Sequence, residues 1–304
     1  QGREDEVRAA ARAWPVGPRV DELVVRARRY RKYLKENIDS LDYIPHSGHT
    51  SLPYSDATHN PNLVRVFIDA QHDYLHDRVY LLGALVVANE AGLPARRNAI
   101  VEIADEPPAS DAAERELLVR WVEDTVRAVI ALAAPDAEGQ RAAPIHLVFY
   151  DSYAQSVLLD ALGRHGQTVL GATPLYDFMT QLAAYDSPIS SFLEAEIREH
   201  KNYPMLCQTL HSVAAFTRFD WNAPQPFRDL FYTRVFDSRG HRNGDPEARS
   251  YYTRRARFNS QIPLEYAYHA WGALPIGDDG KDDFAGYRKV DLGLVRAFAT
   301  RRLD

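Results

Sequence analysis

Residues 63–88 read LVRVFIDAQHDYLHDRVYLLGALVVA. Val64 to Ala70 is rich in β-branched and aromatic residues, and Val79 to Ala88 is a continuous apolar run. Both have the length and residue types of buried strands rather than helices, so the stretch predicts a β-hairpin. The first run ends in Asp69-Ala70-Gln71-His72-Asp73, which carries acidic groups to the end of a central strand. A carboxylate buried without a partner is costly. One explanation is a metal ion held at the strand end. The plainer one is a turn, because Asp, His and Asp are ordinary hairpin-loop residues.

The chain has 304 residues, 45% hydrophobic and 26% charged, enough for one large domain or two smaller ones. Its net charge of −6 gives no overall basic signature of a non-specific nucleic-acid binder, although a local basic patch stays open. The single cysteine, Cys207, excludes an intrachain disulfide framework and a cysteine-cluster metal site. It points to a reducing, cytoplasmic setting. No apolar run of ~18 residues is present, so no membrane span is expected. The opening QGREDEVRAAARAW has no apolar core of a signal peptide. With no initial Met, the chain is expected to be a piece of a longer polypeptide or a processed form.

Residues 3–13 predict a helix that stops near Trp14-Pro15. Asp21 to Glu36 predicts a second, with Leu23, Val24, Ala27, Tyr30 and Leu34 at helical spacing. Its other face carries Arg26, Arg28, Arg29, Arg31, Lys32 and Lys35, which reads as a solvated face before it reads as a phosphate contact. Residues 39–62, rich in turn formers, are a connecting arm. After the hairpin come a third strand, Arg97 to Ala104, and a helix from Asp111 to Ala133 capped by Ser110. Leu117, Leu118, Trp121, Val122, Val126, Val129 and Ile130 form its apolar side. A strand, Ile145 to Tyr150, leads through Asp151-Ser152 into a helix from Tyr153 that Gly166 is expected to close.

The order strand, strand, strand, helix, strand, helix implies an antiparallel meander joined by a crossover to a parallel strand. That is a ribonuclease-H-like α/β sheet flanked by helices. Further helices are expected over 190–200, 205–216 and 263–271, and a last one from Asp291 to Arg302. The domain is set at 63–275, with a helical arm and linker over 1–62 and a linker and C-terminal helix over 276–304. Residues 237–257 are charged and turn-rich and read as an insertion. Arg249, Arg254, Arg255 and Arg257, with Tyr251 and Tyr252 between them and Arg242 upstream, combine cations with stacking surfaces. They suit single-stranded nucleic acid, and equally a solvated loop.

The segments VRVFIDAQHDYLHDRVYLLGALV, IHLVFYDSYAQSVLLDALGRHG, PLYDFMTQL and LCQTLHSVAAFTRFDW, in this order, resemble the exonuclease-type ribonuclease-H-like domain of RecB-like nuclease–helicase proteins, often called the YprB type. The resemblance spans about residues 50–275. It implies metal-dependent phosphodiester cleavage with two Mg²⁺ or Mn²⁺ ions held by four acids, and neighbouring nuclease or helicase domains on a longer chain.

Asp69 matches the first acid of that family, but the second position is Gln71, which offers a neutral oxygen. Asp73 lies two residues further on. Where the third acid is expected stands Ala154, with Asp151 three residues earlier. Glu265 is the candidate for the fourth. His241 and Asp245 only roughly imitate the family's histidine–acid pair, and Asp177 falls where relatives cap or pack. Two of the four acids are therefore altered. The resemblance then implies either a degenerate fold serving as scaffold, nucleic-acid platform or docking module, or an active exonuclease whose rearranged site uses Asp69, Asp73, Asp151 and Glu265. Of these, Asp69, Asp151 and Glu265 would carry the catalysis. A third alternative is a protein-interaction module with no nucleic-acid role.

No glycine-rich phosphate loop and no H-E-x-x-H occur. Glu199-His200 and His165 read as surface or capping groups. Cys207 reads as part of an apolar helix face, and no nucleophile-elbow motif supports Ser-His-Asp catalysis.

Overall fold

The Val64 run forms the middle strand of a five-stranded sheet (β1, Val64–Asp73), and its burial alternates as a two-faced strand requires. Val64, Val66, Ile68 and Ala70 are buried on one face, and Arg65, Phe67 and Asp69 are partly covered on the other. The computed structural model describes residues 3, 5, 6, 9, 20–36, 50–54, 59, 60, 62–73, 76–88, 96–105, 109–133, 139, 143–170, 187–201, 203, 207–219 and 292–304. Val20–Glu36 (α1) is the expected second helix; Arg28, Arg31, Lys32 and Lys35 are exposed, as a solvated face requires.

β2 (Arg78–Ala88) runs antiparallel to β1, and β3 (Arg96–Ile103) antiparallel to β2. Between Gln71 and His72 the β2 partners pass from Leu81 to Val79, so Tyr80 is the extra residue of a bulge. Asp69 to Asp73 are thus strand residues and not a turn. The turn includes Asp77, at φ 55, a left-handed conformation in which Asp is enriched.

The helix Asp111–Leu132 (α2) starts on Ser110, whose side chain accepts from the Ala113 N–H at 3.2 Å. Leu117, Leu118, Trp121 and Val122 are buried as expected. Val126 and Ile130 are not: they are 40% and 54% exposed. The buried stripe begins one turn before Leu117, at Ala113 and Glu114. β4 (Ile145–Phe149) pairs parallel to β1, with Ile68 beside Phe149. The following helix, Ser152–Leu170 (α3), runs through Gly166, which is buried inside it rather than closing it.

The stretch expected to be helical from Ser190 opens instead with a strand, Ser190–Phe192 (β5), parallel to β4. Three residues, two of them serines, are too few to show a strand period. A short helix, Leu193–Glu196 (α4), and a π-helical turn, Ile197–Lys201, follow. Leu210–Phe216 (α5) begins after Thr209, whose hydroxyl accepts from the Ser212 N–H at 3.3 Å. That cap starts the helix beyond Cys207, which is exposed and not part of an apolar helix face.

The strand order β3-β2-β1-β4-β5 combines the antiparallel meander with two parallel strands, an α/β arrangement consistent with the ribonuclease-H-like one. α2 packs on β2 and β3, and α3 on β1. The last helix, Leu292–Leu303 (α6), lies against β2 and β3. A Cβ at Gly83 would stand 3.0 Å from Leu303 Cδ2, so the glycine permits this close approach. Among the described residues no helix is long and apolar enough to cross a membrane.

Candidate functional site

Because β1 and β4 run parallel with Ile68 beside Phe149, Asp69 and the Tyr150-Asp151 corner belong to adjoining strands at the same sheet end. This is the juxtaposition that metal chemistry on this fold would need. What meets Asp69 there is a cation of the chain itself. Arg302 Nη1, from the last turn of α6, donates to Asp69 Oδ2 at 2.6 Å. Gln71 Nε2 donates to the other oxygen, Oδ1, at 2.7 Å. The pair is largely shielded, with side chains 9% (Arg302) and 17% (Asp69) exposed.

The remaining predicted ligands have other partners. Asp73 is buried and its Oδ2 lies 2.7 Å from His76 Nδ1. Asp151 Oδ1 accepts from the Tyr153 N–H at 3.0 Å, which satisfies a donor at the start of α3. Ala154, where the resemblance expects an acid, is buried. Among the described residues no group of three His, Cys, Asp or Glu is placed to hold a metal ion. Both Asp69 oxygens accept hydrogen bonds from within the chain. Glu265, Arg242, Arg249, Tyr251, Tyr252, Arg254, Arg255, Arg257, His241, Asp245 and Asp177 lie outside the described residues.

α5 flanks the same corner. Burial, with the Arg302 charge adding to it, pushes the His211 imidazole down to about 4, so it is neutral at pH 7. Arg301 stacks its guanidinium over Phe219, 4.5 Å from the ring centroid, tying α6 to the end of α5. The Tyr150 hydroxyl donates to Gln208 O, and burial first, then Glu194, pushes its pKa upward.

Two further polar clusters are structural. Glu114 is fully buried, yet its carboxylate accepts from the Val79 N–H at 2.7 Å and from Arg164 at 2.5 and 3.1 Å, and lies 2.7 Å from His165 Nε2. Burial raises its pKa, but Arg164, the Val79 N–H and His165 outweigh that and hold it below the usual glutamate range. His165, expected at the surface or as a cap, is therefore a partner in an ionic joint between α2, α3 and β2. Ser191 Oγ lies 2.7 Å from His146 Nε2 and donates to Ser51 O at 2.8 Å. Its proton is committed to a carbonyl and both side chains are buried, so the pair is no activated nucleophile.

Arg302 and Glu114 escaped the sequence reading, although each leaves a trace. Val295, Phe298 and Ala299 are the buried residues of α6. Continuing that spacing places Arg302 on the same face, where an arginine must find an acceptor. Glu114 likewise precedes Leu117 and Leu118 by one turn.

Comparison of the chain with protein-family models, curated proteins and solved structures found no match.

Proposed function

We propose that this chain carries a ribonuclease-H-like domain of the nuclease–helicase kind whose metal site is degenerate, and that it serves nucleic-acid processing as a scaffold or nucleic-acid platform. The observation that carries this is the ion pair from Arg302 to Asp69 at 2.6 Å, completed by Gln71. A guanidinium neutralises the carboxylate that in the resembled family would face a divalent ion. It supplies charge and hydrogen bonds but activates no water. The strand order and the parallel β1–β4 pair support the kinship by fold alone. Arg249, Arg254, Arg255 and Arg257, with Tyr251 and Tyr252, are the proposed contacts to single-stranded DNA or RNA, and adjoining helicase or nuclease domains the proposed partners. The one cysteine suits a cytoplasmic protein.

The test uses labelled single-stranded DNA and RNA with the full chain and Mn²⁺. Both polymers are expected to survive. They are also expected to bind with an affinity that falls as salt rises and drops in the Arg254→Ala/Arg255→Ala double variant. Cleavage that disappears in Asp69→Asn overturns the degenerate reading in favour of an active metal-dependent exonuclease. Intact polymers with no salt-dependent binding favour a protein-interaction module.

A further inference from the structure

Among the described residues β3 ends the sheet, and its outer side has unspent backbone groups. The Ala104 N–H donates to Tyr80 O at 2.9 Å, so the even-numbered residues of β3 turn their backbone toward β2. Arg97, Ala99, Val101 and Ile103 therefore turn theirs outward. Two of those carbonyls are taken by flanking helices. Arg296 Nη1, from α6, donates to Val101 O, and Arg120 Nη2, from α2, donates to Ile103 O at 3.1 Å. Such cationic covers are a usual defence of a sheet edge. Between them the defence is open: among the described residues no partner meets the Ala99 N–H, the Ala99 carbonyl or the Val101 N–H. They face a recess of about 460 Å³ walled by β3, by α2 at Asp124 and Arg127, and by α6 at Arg296 and Thr300.

The geometry points to a binding site for the C-terminal end of an extended partner polypeptide, added to β3 as a parallel strand. The hydrogen-bond pattern selects this occupant. In a parallel ladder one partner residue offers its carbonyl to the Ala99 N–H. The residue two places on gives its N–H to the Ala99 carbonyl and its own C-terminal oxygen to the Val101 N–H. A strand that continued would next have to donate to Val101 O, which Arg296 already occupies. A chain end has no such donor to satisfy. Its negative charge also lies beside the Arg296 guanidinium, which stands 3.6 Å from Glu102 Oε1 and keeps further N–H donors besides the one on Val101 O. A second copy is a poor fit, because its β3 is an internal strand with no free carboxylate to set beside Arg296.

The site stands apart from the Asp69 corner and does not rest on the proposed function. Its test presents the full chain with a displayed library of short random tails bearing free carboxyl ends. Enriched tails are then made as peptides with acid or amide ends and measured by fluorescence anisotropy. The acid forms are expected to bind and to slow amide exchange at Ala99 and Val101. Amidation, Arg296→Gln or Ala99→Pro each weakens binding about tenfold or more. Failure of any tail to enrich overturns the proposal, as does equal binding of acid and amide forms, the mark of an internal segment. Concentration-dependent dimers that Ala99→Pro abolishes would assign the edge to a second copy and overturn it as well. Should either variant unfold, the acid–amide comparison on the unaltered chain decides alone.

Discussion

Arg302 and Asp69 stand 233 residues apart in sequence and 2.6 Å apart in the fold, joining the last turn of α6 to the central strand. The contact has two consequences. It neutralises the one acid that matches the resembled nucleases, and it pins the C-terminal helix to the sheet. Breaking one half of a shielded pair leaves the other charge without compensation. Arg302→Met and Asp69→Asn are each expected to lower unfolding free energy by about 2–3 kcal/mol. The double variant should lose less than the sum, with a coupling of about 1–3 kcal/mol in a denaturant double-mutant cycle. Additive losses would show that the pair contributes no mutual stabilisation.

The approach of α6 depends on Gly83, which pairs with Asp69 across β1 and β2. Gly83→Ala places a methyl 3.0 Å from Leu303 Cδ2, so the Leu303 side chain at the end of α6 must give by a few tenths of an ångström. A loss of about 1–2 kcal/mol is expected. Shortening the opposing side chain with Leu303→Ala should offset part of it, so the double variant unfolds at a higher denaturant concentration than the sum of the two single losses predicts.

Glu114 forms a fully buried joint away from that corner. Glu114→Ala strands Arg164 and His165 and leaves the Val79 N–H without its acceptor. A cost of about 3–5 kcal/mol is expected from urea unfolding. Glu114→Gln, which keeps an oxygen for Val79, should cost less. Equal costs for the two variants would mean that charge, and not the backbone acceptor, dominates the joint.

Stability should fall on the acid side for two kinds of group. His211 is held neutral in the fold with its pKa down to about 4, by burial first and Arg302 second. A free imidazole titrates near ~6.5, so between those values the unfolded chain binds the extra proton. The fold therefore loses stability as pH falls from about 6.5 toward 4, and this loss levels off below 4. His146, also lowered by burial, acts in the same direction. Glu114, depressed as well, adds a loss at lower pH as its carboxylate protonates. Denaturant midpoints across this range should show a limb that flattens in His211→Asn. An unchanged limb in that variant would assign the loss to the other groups.

The sheet was legible because its strands announce themselves. Val79–Ala88 is an unbroken apolar run, and Val64–Ala70 and Ile145–Phe149 are rich in β-branched and aromatic residues, so strand order followed from connection lengths. Ser190–Phe192 was hidden, since a three-residue strand has no period to read and borrows its identity from pairing with β4. Cys207 was misjudged because the Thr209 cap, and not the apolar content of the segment, sets where α5 begins.

The site was half legible. Asp69 could be named from its place late in a strand rich in apolar residues, and Gln71 and Ala154 could be seen to stand where the resemblance expects acids. Local pattern, set by hydrophobic burial and backbone periodicity, thus determined the layers and the central strand. The partner that meets Asp69 depended on where a helix more than two hundred residues away comes to rest. That position is a property of shape: the bare backbone at Gly83 receives Leu303, and the next residue back, Arg302, then reaches the carboxylate. Charge pairing at such separation follows from tertiary packing, because nothing in the local chain energy of either segment distinguishes this partner from any other.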